Sequence, residues 1–482
     1  MKPVISTNTT SLHEEAARTS SVRWALASLS LSMLMPSLDT SIANAGLPAL
    51  AQAFAASFQA SQWIILAYLL AITTLIVSAG RLGDMLGRRR LLLTGIVLFT
   101  VASLLCSVAP ALWFLIAARA VQGLGAAVML ALTIACVSET APKEKTGGAI
   151  GLLGTMSAVG TTMGPALGGV LISGFGWPSI FIINVPLGVL NFYLAHRFLP
   201  ADIERPKAER ARFDHMGTLL LCATLAAYAL AMTMGKGSFG VLNIALLLAS
   251  VTGLALFVRA EARAASPLIR LSMFRKQGLS ASLAMSMLVS TVIMSTLVVG
   301  PFYLSRALGL KAGVVGLILS AGPLVSALTG VPAGRIVDRF GPRRMTITGL
   351  AGMAVGCLAL SSVGPAFGIA GYLLSVVCIT ASYALFQAAN NTAIMADARP
   401  DQRGVISGML SLSRNLGLIT GVSVMGAIFA LASKASDITT AQPAAVVDGM
   451  RVTFAVAVLL TVIAFAIALG TSRNMPRNRE LA

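Results

Sequence analysis

The sequence predicts an all-α membrane protein of fourteen transmembrane helices, built as two six-helix bundles with a two-helix hairpin inserted between them. Three observations carry that expectation. The 482 residues are 56% hydrophobic and only 11% charged, with a mean hydropathy of +0.86, whereas a soluble domain carries about 25% charged residues. Apolar runs of roughly 20 residues, enough for a helix to cross a bilayer, recur along the whole chain. A short basic motif also occurs twice, at residues 80–90 and 334–344.

Hydrocarbon offers no partner to an unpaired backbone amide, so each apolar run is expected to be helical. In chain order the spans fall at residues 23–47, 60–80, 91–109, 113–137, 149–173, 179–199, 215–234, 239–258, 279–303, 312–333, 346–364, 368–394, 405–432 and 452–471. Gly or Pro interrupts several of them, as in helices that pack closely or line a cavity.

Charge tests the count. With a cytoplasmic N-terminus, 28 of the 35 Lys and Arg lie on the cytoplasmic side. Five lie outside (Lys236, Arg306, Lys311, Lys434, Arg451) and two within spans (Arg119, Arg414). Retained positive charge fixes membrane topology, so a partition this uneven supports fourteen spans with both termini cytoplasmic. The net charge of +18 is then a topology signal, and nucleic acid is not an expected partner.

The chain accordingly divides into a cytoplasmic tail at 1–22, a six-helix bundle at 23–199 and the inserted helices seven and eight with their linkers at 200–278. A second six-helix bundle at 279–471 and a tail at 472–482 complete it. Residues 1–20 lack the basic, apolar and cleavage regions of a signal peptide, so span one is expected to be retained. His196 and His215 fall at cytoplasmic boundaries rather than in a proton relay. Cys106, Cys136, Cys222, Cys357 and Cys378 lie in apolar stretches without CxxC spacing or nearby His. They are expected to pack in the core, and neither a metal nor an organic cofactor is expected. No GxxxxGK[ST] loop is present, which argues against an ATP-driven pump.

The repeated motif reads GRLGDMLGRRR at 80–90 and GRIVDRFGPRR at 334–344. Each copy follows a span on the cytoplasmic side, so spans one to six pair with spans nine to fourteen as an internal duplication. Two equivalent bundles suggest alternating access, in which the halves rock about a central site. Gly80, Arg81, Gly83, Asp84, Gly87, Arg88 and Arg89, with Gly334, Asp338 and Gly341, are candidate conformational-switch residues. Glycine permits close backbone approach, and a fixed Asp can accept from Arg or from a helix N-terminus. Plain topology anchoring by positive charge is the alternative, with Arg88, Arg89 and Arg90 set against lipid phosphate.

Within the bilayer, Asp39 is the acid that the span boundaries place deepest. A charged carboxylate there is costly, so it is expected to face a wet cavity, pair with a base or carry a proton. It is the first candidate for proton coupling, and a fixed ion pair between helices is the competing role. Arg119 is its counterpart, assigned an electrostatic role because arginine does not release its proton near neutral pH. Gln122, three residues on, shares its helical face. Span five is rich in glycine, and Gly164, Pro165, Gly168 and Gly169 are candidates for a hinge or for simple close packing.

These motifs together resemble the major facilitator superfamily. The loop 80–90 looks like its signature between helices two and three, which in the family helps hold the outward-facing state. Arg119 with Gln122, Gly123 and Gly125 resembles its helix-four pattern. Gly154, Gly160, Gly164, Pro165, Gly168 and Gly169 resemble the helix-five motif of antiporters. The finer match is to the fourteen-helix drug:proton antiporter family. Leu38, Asp39 and Thr40, followed by Ile42, Asn44, Leu47 and Pro48, look like its helix-one motif. Trp63, Tyr68 and Leu69 match helix two, and Trp177, Phe181, Asn184, Pro186 and Gly188 resemble the start of helix six.

The resemblance covers nearly the whole chain. It implies a secondary active transporter rather than an enzyme: a multidrug efflux antiporter using protons as the coupling ion. Its cargo is expected to be amphipathic, cationic or neutral compounds. Its place is expected to be a bacterial plasma or inner membrane, as a monomer among membrane lipids. Candidate substrate-binding residues are Asp39, Tyr68, Gln122, Met156, Met287, Phe386, Asn390, Asn391 and Arg414, since aromatic and Met side chains give adaptable contact and amides give direction. Spans nine to fourteen hold no confidently placed midplane acid, which weakens the case for dications, and Glu139 is a secondary candidate acid. Export of a single endogenous metabolite, lipid or siderophore is the competing transport role, and a non-transporting receptor or scaffold is the competing class.

Overall fold

A computed structural model of the chain describes residues 7–140, 146–202, 214–234, 240–264, 277–362, 364, 367–396, 403–434, 438 and 441–473. Every regular element among them is helical. The first half comprises α1 (Thr7–Ala45), α2 (Leu47–Ala53), α3 (Phe58–Leu86), α4 (Arg88–Ser107), α5 (Leu112–Thr140), α6 (Thr146–Phe175), α7 (Ser179–Ile182) and α8 (Asn184–Phe198). Next in the chain come α9 (His215–Thr233) and α10 (Val241–Arg263), where the inserted pair was expected. The second half comprises α11 (Gln277–Phe302), α12 (Ala312–Phe340), α13 (Pro342–Ser362), α14 (Gly368–Ala396), α15 (Arg403–Thr420), α16 (Gly426–Ala432) and α17 (Pro443–Arg473). Residues 303–307 and 421–425 are single π-helical turns.

Thirteen of these rods are long and apolar enough to cross a membrane. The rod absent from that set is α1, whose apolar run is diluted by Ser28, Ser30, Ser32, Ser37, Asp39 and Ser41. Those polar groups face neighbouring helices rather than lipid: Ser28 Oγ donates to Asn191 Oδ1 of α8 at 2.8 Å, and Ser41 Oγ to Thr161 O of α6 at 2.7 Å. A polar helix is tolerated here because protein, not hydrocarbon, supplies its partners.

Several expected boundaries move. Helix α1 begins at Thr7 rather than residue 23, so the described part of the expected 1–22 tail is helical. Span six divides at Ile183, and helix α17 starts at Pro443, converting the second part of the expected 433–451 loop, residues 443–451, into helix. Helix α10 runs on to Arg263, which brings the buried Glu261 inside a helix beside Gly217. Cys222, expected in the core, is exposed on α9.

In the first half, α1 packs on α6 and α8, while α5 packs on α3 and α4. In the second, α13 packs on α14 and α17, and α11 on α15 and α17. Helices α9 and α10 pack on each other, and α9 also lies on α3. Their turn is closed by Asn243, whose Nδ2 donates to the carbonyls of Ala231 (2.7 Å) and Met234 (2.6 Å), satisfying the end of α9. The outer face of α10 shows Val241, Leu242, Leu248 and Val251, an apolar surface suited to lipid.

Candidate functional site

Asp39 lies at the centre of the first half, 1% exposed and held by three donors. Its Oδ1 accepts from Gln122 Nε2 and from Asn184 Nδ2, both at 2.8 Å, and its Oδ2 accepts from Arg119 Nη1 at 2.5 Å. Four elements therefore converge on one carboxylate: α1 supplies Asp39, α5 supplies Arg119 and Gln122, and α8 supplies Asn184 at its first residue. The fourth is α3, whose Ile64 carbonyl accepts from Arg119 Nε at 3.1 Å. The guanidinium lies 4.1 Å from the ring centroid of Tyr68, a contact that favours a desolvated cation. Gln122 bridges the set, accepting from Arg119 at 2.6 Å and donating to Ser103 Oγ at 2.8 Å. A buried charge pair is tolerated when further hydrogen bonds support it, and here Arg119 Nε and Nη1 and both Asp39 oxygens make them.

The backbone of α6 fixes where Asp39 sits. Gly160, Gly164 and Gly168 recur every four residues and turn one face of α6 toward α1. A Cβ would lie 2.6 Å from the Leu34 carbonyl at Gly160 and 2.5 Å from Ser41 Cβ at Gly164. Pro165 has no N–H, which leaves the Thr161 carbonyl without its helical donor. Ser41 Oγ of α1 donates to that carbonyl instead, and Ser37 and Ser157 hydroxyls meet at 2.7 Å one turn away. Gly169, the next residue round, faces α12, where a Cβ would lie 2.9 Å from the Ala312 carbonyl.

The two copies of the basic motif share a backbone but differ in surroundings. Gly87 and Gly341 each join two helices with positive φ, +96° and +84°, a conformation that favours glycine. Asp202, beyond α8, accepts from the backbone amides of Arg89 (2.8 Å) and Arg90 (3.1 Å) and so satisfies the start of α4. Arg89 Nη2 also donates to the His196 carbonyl, and Arg88 Nη1 to the Ala135 carbonyl at 3.5 Å. The described contacts of this loop thus stay within the first half. Gly83 packs against Leu132, whereas a Cβ at Gly80, Gly334 or Gly341 would meet nothing within 4 Å. Asp338 is exposed, and the side chains of Arg81, Asp84 and Glu139 lie outside the described residues.

The halves meet at the end remote from these loops. Gln62 Nε2 donates to the Val422 carbonyl at 2.6 Å. Phe58 meets the edges of Phe302 and Phe429 at centroid distances of 4.9 and 5.6 Å, and α6 meets α12 at Gly169, Gly313 and Gly316. Nearer the loop end, α11, α14 and α15 enclose a cavity of about 170 Å³ lined by Tyr383, Phe386, Gln387, Asn390, Asn391 and Arg414 among others.

The predicted residues therefore separate into two sets. Asp39, Arg119, Gln122 and Tyr68 come together in the first half, all buried, with Tyr68 completely so. Asp39, Gln122 and Tyr68 are enclosed by protein rather than lining the described cavities, because their polar groups are already committed to one another and to the Pro36 carbonyl, which takes the Tyr68 hydroxyl at 3.3 Å. Phe386, Asn390, Asn391 and Arg414 meet in the second half, and Asn390 Nδ2 also donates to the Ser282 carbonyl at 3.3 Å. Met156 and Met287 are half-buried and outside that lining. Asn184 and Tyr383 were not among the predicted site residues; an amide in an apolar stretch was the available signal for Asn184. Among the described residues no cluster of His, Cys, Asp or Glu is arranged to hold a metal.

The sequence profile of the Major Facilitator Superfamily matches residues 29–422 and again residues 279–481. Among curated relatives, the multidrug resistance protein Stp of Mycobacterium tuberculosis is 32% identical over 414 residues, covering 83% of this chain and 74% of Stp. The riboflavin transporter RibZ of Clostridioides difficile is 29% identical over 405 residues, covering 83% of this chain and 86% of RibZ. Among solved structures, a bacterial homologue of the human lysosomal transporter Spinster, inward-facing and occupied, superposes with a TM-score of 0.69 at 15% identity, over 94% of this chain and 97% of that one. The chain belongs to the Major Facilitator Superfamily, as a secondary transporter with kinship to its bacterial multidrug-efflux members.

Proposed function

We propose that this protein is a proton-coupled antiporter that exports amphipathic small molecules by alternating access, with α1 as the fourteenth span. Two six-helix bundles, 23–199 and 279–471, are then the rocking units. With the basic loops placed in the cytoplasm of a bacterial inner membrane, closure at Gln62, Phe58 and Gly169 is closure toward the outside. The cavity beside Arg414 is then reached from within.

The observation that carries the reading is the Asp39 network. An ionised Asp39 has acceptor sites for Arg119, Gln122 and Asn184 at once. A protonated carboxyl loses acceptor capacity and its charge, so uptake of one proton releases the guanidinium that ties α1, α3 and α5 together. Asp39 carries the proton, and Arg119 sets the field around it. Gly160, Gly164 and Gly168 let α1 and α6 move as one, and the Gly87 and Gly341 loops let neighbouring helices reorient. Asp84 and Asp338 are proposed as breakable contacts of those loops.

The resemblance implied cationic or neutral cargo, with Asp39 able to compensate one positive charge. Its enclosure by three donors supports reserving it for the proton, which removes the argument for a cation. A relative named as a riboflavin transporter favours keeping single-compound export as a second reading.

The test is internal pH in proteoliposomes of purified wild type or Asp39→Asn after addition of a panel of cationic, neutral and anionic amphiphiles. Compound-dependent proton movement in wild type, absent in folded Asp39→Asn, is the expected result. Preserved movement in Asp39→Asn rejects Asp39 as the carrier. Response to one chemical class alone selects the single-compound reading.

A further inference from the structure

We propose that the Arg414 cavity is a headgroup site for an amphipathic organic anion, so that the cargo carries a carboxylate, sulfonate or similar acidic group. This rests on the transport reading above and names the charge of the cargo for that central site.

Position is the first argument. Arg414 lies eleven residues beyond Arg403, the start of α15, a distance of about 16 Å at 1.5 Å per residue. That is about half of a hydrocarbon core of roughly 30 Å. Its side chain is exposed to the cavity, and it makes no hydrogen bond or ion pair among the described residues. Arginine stays charged under all ordinary conditions. An uncompensated charge at such depth is expensive and marks a site whose compensation comes from elsewhere.

The neighbours show what that compensation is. Around Arg414 stand the hydroxyls of Ser290, Tyr383 and Ser411 and the amides of Gln387 and Asn391, with no carboxylate among the described lining residues. Tyr383 is within electrostatic reach of the guanidinium. Planar guanidinium with flanking O–H and N–H donors is the pattern that recognises an oxyanion in two-point fashion. A cation would enter beside a fixed like charge, with no carboxylate among the described lining residues to offset it. The carboxylate that could have received a cation, Asp39, is committed to Arg119, Gln122 and Asn184 in the other half.

Size and lining complete the case. At about 170 Å³ the cavity is smaller than a complete drug site of roughly 300–1,000 Å³, so it receives a headgroup while the rest of the ligand extends between the halves. Phe386, Met395 and Leu410 give one side of it an apolar wall, which suits the amphiphile's ring or chain. A lipid phosphate shares this headgroup chemistry, and the experiment separates it from a soluble anion.

Purified full-length protein in phosphatidylcholine vesicles is titrated with 1-pyrenebutyrate and with its trimethylammonium analogue, read by pyrene fluorescence against protein-free vesicles. The anion is expected to bind at least about tenfold tighter than the cation, the value of one charge-assisted hydrogen bond or more. Arg414→Gln is expected to lose that preference, and Arg414→Lys to keep part of it. Equal binding of both probes, or an anion preference unchanged in Arg414→Gln, overturns the proposal even if proton movement persists. Arg414-dependent anion binding without proton movement for any compound leaves this site standing and removes the transport reading. Displacement of pyrenebutyrate by phosphatidylglycerol from wild type assigns the site to lipid phosphate and overturns the cargo assignment. If Arg414→Gln fails to elute as a folded species, a reduced anion preference in folded Arg414→Lys supports the proposal and one equal to that of wild type overturns it.

Discussion

Removing charge from both members of the Asp39–Arg119 pair should cost less than the two single removals added together. In Asp39→Asn, Arg119 remains 1% exposed with Gln122 and the Ile64 carbonyl as acceptors but no counter-charge. Breaking a buried pair in this way costs about 3–5 kcal/mol. In Arg119→Met, the carboxylate keeps the amides of Gln122 and Asn184, so its loss should fall at the lower end of that range. The double variant leaves neither charge buried, and its deficit should be smaller than the sum of the singles by about 2 kcal/mol or more, as coupled neighbours require. The measurement is a double-mutant cycle on denaturation midpoints in mixed micelles, with size-exclusion profiles for each variant. All three variants are expected to lose substrate-dependent proton movement, because coupling needs both residues. Strict additivity of the two losses would refute the reasoning, since it would mean that the pair does not interact in the folded protein.

Three further outcomes follow from the same geometry. Gly87→Ala should destabilise more than Gly341→Ala: both meet a cost of about 1–3 kcal/mol for a sparsely populated positive-φ conformation, but a Cβ at Gly87 also collides with the Asp202 carboxylate while one at Gly341 meets nothing within 4 Å; melting temperatures of the two variants decide it. Asp202→Ala should cost about 1 kcal/mol as a lost helix cap and speed proteolysis near Arg88, and Asp202→Asn, which keeps one acceptor oxygen, should be milder; equal behaviour would remove the capping role from Asp202. Gly164→Val should lose about 1–3 kcal/mol through overpacking against Ser41, whereas Gly80→Ala and Gly334→Ala, with open space around them, should be neutral in folded yield; a damaging Gly80→Ala would show that the motif glycine serves a state other than this one.

Much of the architecture is set by local chemistry and so is legible along the chain. Thirteen of the fourteen expected runs are helices long and apolar enough to cross a membrane, and these, the basic loop repeated with Gly87 matching Gly341 and the deep acid at Asp39 each follow from what a bilayer permits. Span ends were less legible, because a helix continues past the hydrocarbon edge as long as its backbone is satisfied; Pro443 and Thr7 begin helices well before their apolar runs do. The switch to glycine every fourth residue in α6 could be seen, but not that Ser41 would supply the donor Pro165 lacks.

What the sequence by itself determined is which groups are present at bilayer depth: one acid, two arginines and several amides whose burial must be compensated. Only the tertiary structure decided how they are shared. It spent Arg119, Gln122 and Asn184 on Asp39 in one half and left Arg414 facing a cavity with no acid among its described lining residues in the other. That division depends on helices that are distant in sequence, α1 with α5 and α8, and α11 with α14 and α15. Spacing along a chain specifies which residues share a helix face, whereas the pairing of charges between helices is set by which faces pack together.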